Sequence, residues 1–244
     1  AAVGKVTRLI RFIQELPKEY FATAQFGVAT DTLDADGAVL SRAPMDVSMG
    51  DLTGIRDRFL GVVSQVPPMV SALKHEGRRL YELAREGVVV EREAREIRID
   101  ELEFTSVGSG PYPEVEFRVV CGKGTYVRTL ADDIAGALGG SAHLTRLHRA
   151  RIGSLSVEKH GVSLDELDDW PKHLLSPAEA LGDLHAIEVD PETAVAVGNG
   201  VRFVGDAMPD APENEPVMVL DTSGSLLAVY RRIGEQCRPE VVLP

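Results

Sequence analysis

The chain has 244 residues, 44% hydrophobic and 26% charged, with a formal net charge of −12. That length and balance suit a soluble globular protein with one large domain, or a large and a small one. No apolar run approaches the ~20 residues of a membrane span, so no membrane association is expected.

The opening AAVGKVTRLI lacks both an initiating Met and a signal-peptide pattern, which reads as a fragment. Cys121 and Cys237 stand far apart with no CxxC spacing. No metal site or disulfide framework is therefore expected, and a reducing cytoplasm fits. The acid is uneven along the chain. Residues 161–244 carry 5 Lys and Arg against 16 Asp and Glu, whereas 121–160 carry 6 against 3 and add three histidines. A locally basic surface can therefore exist on an acidic protein.

In chain order, Val6, Leu9, Ile10, Ile13 and Leu16 recur at helical spacing before Pro17, which predicts an amphipathic helix over roughly 4–16. EYFATAQFGVAT alternates as a strand, and Asp36-Gly37 marks a hairpin. Ser48 with Asp51 predicts a capping box opening a helix that runs to about Leu60. The Pro-Pro pair in QVPPMVSALK forbids regular structure, so 65–74 reads as a loop. RRLYELAREG reads as a short helix ended by Gly87, VVVEREAREIRIDELEF as one or two strands, and PEVEFRVVC as another. A helix over Thr125–Leu138 ends at Gly139-Gly140. A further short helix is expected near 142–147, leading into the strand-like ARIGSLSVEK.

Residues 163–184 read as an acidic, Pro-punctuated helical connector. Beyond it, Asp190 as N-cap, Pro191 at the first helical position and Asn199-Gly200 as the stop frame one more helix. VRF, PVMVLD, SLLAVYRR and PEVVLP read as short strands, with DAMPDAPENEP as a loop among them.

The chemistry-bearing run is CGKGTYVRTLADDIAGALGGSAHLTRLHRARIG. Gly122 and Gly124 permit a turn at the end of a strand, and Tyr126 and Arg128 follow at the start of a helix. Residues i and i+2 do not share a helix face, so one of the pair must project from the entry turn. On these residues alone, a core Tyr126 and an Arg128 that caps a carboxylate are equally tenable. Gly122-Lys123-Gly124-Thr125 lacks the upstream glycine of a phosphate-binding loop.

That run resembles the signature of TruB-type pseudouridine synthases, and two further blocks match in the same order. KEYFATAQFGVATDTLDADG is similar to the family's K-x-Y segment and T-D-T-x-D-A-D-G hairpin, and QVPPMVSALKHEGRRLYELAREG to its RNA-clasping insertion. The match is strong over 1–160 and weak beyond.

The resemblance implies an α+β fold with a mixed, largely antiparallel sheet flanked by helices. It implies a catalytic domain over 1–162 with the insertion at about 65–98, a connector over 163–184 and a small β-rich PUA-like module over 185–244. It implies isomerisation of the T-loop uridine at position 55 of tRNA, without a cofactor, by a protein needing no partner beyond the T-arm stem-loop and working as a monomer. Flipping that base out of the RNA requires an aromatic surface in return.

Carried over by position, Tyr20 would stack on the flipped base and Tyr126 would remove the late proton. Arg128 would pair with the attacking aspartate, and Leu147 would pack on the base. Asp34 would contact the flipped-nucleotide region, a role compatible with a turn-capping one. Lys18, Lys74, Arg78, Arg79, Arg149 and Arg151 are the candidates for phosphate contacts. His148 stands where the family usually has Arg, and Ala150 where it commonly has Thr.

The family's G-T-L-D-P-type motif, which carries the attacking aspartate, occurs nowhere in the sequence. Ungapped extension places it just upstream of Ala1, which implies a truncated form unable to isomerise uridine alone. A tRNA-binding chaperone is the alternative. A third reading is a protein-interaction role for the acidic C-terminal module.

Overall fold

The computed structural model describes residues 2–204, 208 and 210–243. Packing divides the chain into two units: Pro17–Arg151, and Ile152–Pro244 together with Ala1–Leu16. The opening segment is a 3-10 helix, Gly4–Leu9, continuing as α1, Ile10–Glu15, with Leu16 extended before Pro17. It packs within the second of these units.

The unit Pro17–Arg151 is built on strands β1, Lys18–Phe26; β4, Gly61–Gln65; β7, Arg95–Val107; β8, Glu114–Cys121; and β9, Ala142–Ile152. They lie in the order β9-β1-β8-β7-β4. The β1–β8, β7–β8 and β4–β7 pairs are all antiparallel, and Tyr20 stands opposite Val119. One face of the sheet is apolar: Ala22, Ala24 and Phe26 of β1 and Val115, Phe117 and Val119 of β8 are buried at period two.

Helices α2, Met49–Ile55, and α4, Val127–Ala137, contribute Leu52, Leu130, Ile134 and Ala135 to the same core. Ser48 Oγ accepts from the Asp51 N–H, and the Asp51 carboxylate accepts from the Ser48 N–H at 2.9 Å, so the expected capping box starts α2. That helix passes into a 3-10 turn at Arg56–Phe59, close to the expected end.

Strands β2, Val28–Thr30, and β3, Val39–Arg42, form the expected hairpin, but its tip is wider than an Asp-Gly turn. Asp31 N donates to Ala38 O, and Gly37 N to Asp34 O. A Cβ on Gly37 would crowd the Thr32 and Asp31 side chains and stand 3.0 Å from Thr32 N, so the close approach across this tip favours glycine.

The insertion begins as the loop that Pro67-Pro68 dictates. It then forms a two-rung ladder of β5, Lys74–His75, and β6, Arg78–Arg79, turned by Glu76 and Gly77 at positive φ. Helix α3, Leu80–Arg85, follows, and Gly87 at φ 73° stands just past its end.

The expected helix near 142–147 is instead the start of β9. Leu144 and Leu147 sit three apart as on a helix, yet Ala142 and Leu144 are buried two apart against the sheet core. Tertiary pairing decided what periodicity over so short a run could not. Strand β4 is a further element that the sequence reading had not marked.

In the second unit, β10, Leu155–Ser156, and α5, Val157–His160, precede a kinked 3-10 segment, Leu164–His173, and α6, Pro177–Ala180, where a helical connector was expected. Strands β11, His185–Glu188; β12, Phe203–Val204; β13, Pro216–Leu220; β14, Leu226–Ile233; and β15, Gln236–Val242, form a sheet in the order β11-β13-β14-β15-β12. Helix α7, Pro191–Gly198, starts at Asp190, whose side chain accepts from Thr193 N at 2.8 Å. Leu9 and Phe12 of the opening segment share an apolar cluster with Met218 and Val229, and Arg8 Nη2 donates to Val242 O at 2.6 Å. Of the expected loop over 206–216, Asp206, Ala207 and Pro209 lie outside the described residues, as does Pro244 in the last strand-like run.

Candidate active site

Five of the side chains singled out in the sequence line one cavity of about 440 Å3: Tyr20, Asp34, Tyr126, Arg128 and Leu147. They come from β1, the β2–β3 tip, the entry to α4, and β9, so the core that orders those elements also orders the cavity. Tyr20 is half-buried and rests on the core. Leu147 is 52% exposed, which leaves an apolar face at the rim without a covering side chain.

Tyr126 precedes α4 in an extended conformation (φ −100°, ψ 106°), and Arg128 is already helical. The pair thus reaches one cavity because the first of them projects from the entry turn, as the spacing required. What fixes Tyr126 was not legible. Gln65, 3% exposed at the end of β4, accepts from Tyr126 N at 2.9 Å and donates to Tyr126 O at 3.2 Å. Its amide acts as one more rung of a strand ladder, and losing it would leave Tyr126 N–H unpaired, while Tyr126 O keeps its bond from Leu130 N.

Arg128 is 20% exposed and makes three hydrogen bonds. Nη1 donates to Asp34 Oδ2 at 2.7 Å and to Thr32 O at 3.3 Å, and Nη2 donates to Val70 O in the insertion loop. Asp34 Oδ1 also accepts from Thr32 Oγ1 at 2.5 Å, and Asp34 O from Thr30 Oγ1 at 2.9 Å. A single guanidinium therefore ties the hairpin tip and the insertion to the first turn of α4. A half-buried charge pair of this kind is costly to break from one side, because the other charge stays behind.

The six expected phosphate contacts lie outside the cavity lining. Lys18 is on β1, and Lys74, Arg78 and Arg79 are exposed on the β5–β6 ladder. Arg78 pairs with Glu86 at 2.5 Å, and Arg79 N donates to Glu82. On β9, Arg149 is exposed and Arg151 Nε reaches Glu19 at 3.0 Å. Burial would raise the Glu19 pKa, but Arg118 and Arg151 outweigh it and hold the carboxyl below its ordinary value.

A second cavity of about 390 Å3 lies beside Gln65 and includes Arg58, Ser64 and Asp133. Desolvation, reinforced by the neighbouring Asp132 charge and opposed by a hydrogen bond from Gln65, pushes the Asp133 carboxyl up to about 6. Cys121 is buried, and burial raises its thiol to about 11, so it packs as a small apolar side chain rather than as a nucleophile. No helix among the described residues is long and apolar enough to cross a membrane.

Residues 1–127 match the model of the TruB family pseudouridylate synthase N-terminal domain. A protein of Symbiobacterium thermophilum called tRNA pseudouridine synthase B is 46% identical over 200 residues, spanning 82% of this chain and 67% of that protein. One of the same name from Burkholderia mallei is 41% identical over 245 residues, spanning 97% of this chain and 80% of that protein. Among solved structures, a chain of a Cbf5-Nop10-Gar1 complex superposes with a TM-score of 0.74 at 20% identity, covering all of this chain and 71% of that one. That likeness concerns the fold. On the family match and these identities, the chain belongs to the TruB family of pseudouridylate synthases.

Proposed function

We propose that the cavity of about 440 Å3 receives a uridine flipped out of the T-loop of tRNA, the one at position 55, for isomerisation to pseudouridine. The observation that carries this reading is the convergence of Tyr20, Tyr126, Arg128 and Leu147 on one cavity, drawn from segments more than a hundred residues apart. Its volume lies within the ~300–1,000 Å3 typical of sites for small ligands. The names of the curated relatives support tRNA as the substrate.

In isomerisation the C1′–N1 bond breaks and a C1′–C5 bond forms. C5 loses its proton and N1 gains one, so no net oxidant or reductant is needed. Tyr20 stacks on the uracil face and Leu147 covers its edge, which offsets the few kcal/mol lost on unstacking. The Tyr126 hydroxyl accepts the C5 proton. Arg128 holds the site's negative charge, and Asp34, bound to it at 2.7 Å, keeps the fork aimed before RNA arrives.

The attacking group is assigned to no residue here, since the family's G-T-L-D-P-type motif does not occur in the sequence. By itself the chain grips and unstacks the T-arm without isomerising it. It does so as a monomer, with the insertion over about 65–98 clasping the stem through Lys74 and Arg79. Buried, unpaired cysteines are compatible with a cytoplasmic setting.

A T-arm hairpin carrying tritium at C5 of the target uridine tests both halves. The expected result is tight binding with no tritium release. Equal affinity for a hairpin of scrambled loop sequence overturns the T-loop reading, and tritium release overturns the assignment of the chemical step to a group outside the chain.

A further inference from the structure

Arg146 is a cavity residue that lies within the run CGKGTYVRTLADDIAGALGGSAHLTRLHRARIG but is not among the site residues singled out from it. It follows Leu144 by two positions on β9, so in an extended strand the two share a face. Leu144 is 5% exposed and belongs to the core, whereas Arg146 is exposed, and both line the cavity. The strand thus runs from the cavity's floor to its rim within two residues.

The guanidiniums near this cavity are employed differently. All the fixed partners of Arg128, namely Asp34, Thr32 O and Val70 O, belong to the protein. Arg151, five residues along β9, is held by Glu19. The side chain of Arg146 makes no hydrogen bond, ion pair or ring contact with any other described residue. Five N–H donors at the mouth of a half-apolar cavity therefore face solvent, on a side chain whose planar fork suits phosphate.

The rest of the rim restricts what that fork can meet. On the hairpin side the lining carries Asp34, already paired, and the exposed Asp36. The lip is thus acidic at the hairpin and basic at β9. A nucleotide entering base-first leaves its phosphates at the mouth. Repulsion from Asp36 and attraction to Arg146 then place the anionic backbone along β9.

We propose that Arg146 binds a phosphate flanking the flipped nucleotide, and so sets which way the RNA backbone crosses the cavity mouth. This rests on the RNA reading above. Arg146 positions substrate and takes no part in proton or bond transfer. It differs from the other candidate phosphate contacts, which lie outside the cavity lining and hold the RNA at a distance from the base.

The test is binding of a T-arm hairpin by the chain across a salt series, for the unaltered protein, Arg146→Gln and Arg146→Lys. Three hairpins are used: all-phosphate, and two with a neutral methylphosphonate on either side of the target uridine. Arg146→Gln is expected to weaken binding about tenfold at low salt, the loss of one charge-assisted contact. It should also flatten the log–log salt slope by about 0.7. Lys should keep the slope and restore part of the affinity, having the charge without the fork. One methylphosphonate should weaken the unaltered protein by a similar factor and leave Arg146→Gln unmoved.

An unchanged affinity and slope in Arg146→Gln overturn the proposal. So does a loss that adds in full to that of both methylphosphonates, because the side chain and the phosphate would then act independently. Failure of the unaltered chain to bind any T-arm hairpin is a different outcome, which removes the RNA reading itself. Equal melting temperatures for the variants, expected for an exposed side chain, confine the readout to binding.

Discussion

The two units put their charged residues to different use. In Ile152–Pro244 and the opening segment, carboxylates serve local structure. Asp190 caps α7, Asp221 accepts from Ser223 N and Ser225 N in a tight turn, and Glu240 bridges Arg11 and Arg231. In Pro17–Arg151, Asp34 and Arg128 pair in the cavity lining, and the side chain of the other lining arginine, Arg146, is left without a partner among the described residues. Net charge is therefore a poor guide to the charge at the cavity. The −12 of the whole chain is dominated by residues 161–244, several of whose acids cap helices or turns, and the rim of the cavity is lined from the hairpin tip and β9.

That comparison predicts that substitutions around the cavity change RNA affinity, while those in the other unit change stability alone. The largest effect should come from Ile134→Ala, which empties a fully buried site on the core face of α4. A loss of about 2–5 kcal/mol is expected in denaturant unfolding of the cavity-bearing unit, and RNA binding should fall with it.

Next comes Gln65→Leu, which strands the N–H of Tyr126, whereas Tyr126 O keeps the bond from Leu130 N. A destabilisation of about 1–3 kcal/mol is expected. In an isomerisation-competent protein it should lower kcat more than it raises KM, because Tyr126 shifts while the stacking surface of Tyr20 stays. A kcat left intact would show that Tyr126 is held by its side-chain packing instead.

Asp190→Ala should cost about 1 kcal/mol, the ordinary worth of an N-cap, with T-arm affinity unchanged. A weakened affinity would break the division of labour between the units.

The smallest effect concerns Asp133. Its folded-state pKa of about 6 lies above the unfolded value of 3.8, so the native state holds the proton more tightly. Its ionisation therefore opposes folding. That penalty is fully present above pH ~6 and disappears as pH falls towards 3.8. Asp133→Asn should raise the melting temperature modestly at pH 8, since water at the cavity lip screens the effect. The gain should fade between pH 6 and 4, and a gain that does not depend on pH would point to packing instead.

Much of the framework was legible because local signals and tertiary demand agreed. The Ser48–Asp51 box, the Asp190-Pro191 start and the alternation in β1 and β8 each specify an element in isolation. The members of the site were legible through motif order, and their meeting through the fold that those motifs imply. Two things were not. The run HLTRLH is compatible with either periodicity, and only its place beside β1 makes it a strand. The Gln65–Tyr126 rungs join residues 61 apart, and Arg146 reaches the rim only because β9 is extended. Contacts of that kind leave no periodic trace in a sequence.

The central claim is that a uracil enters the cavity and stacks on Tyr20. Its most direct test is the affinity of the chain for a T-arm hairpin with Tyr20→Phe and Tyr20→Ala. Stacking contributes about 1–3 kcal/mol per base, so Phe should bind like Tyr. Ala should bind roughly ten- to a hundredfold more weakly, at the loop uridine and not at a hairpin with an abasic target position. Equal binding by all three proteins, or an equal loss on the abasic hairpin, would contradict the account.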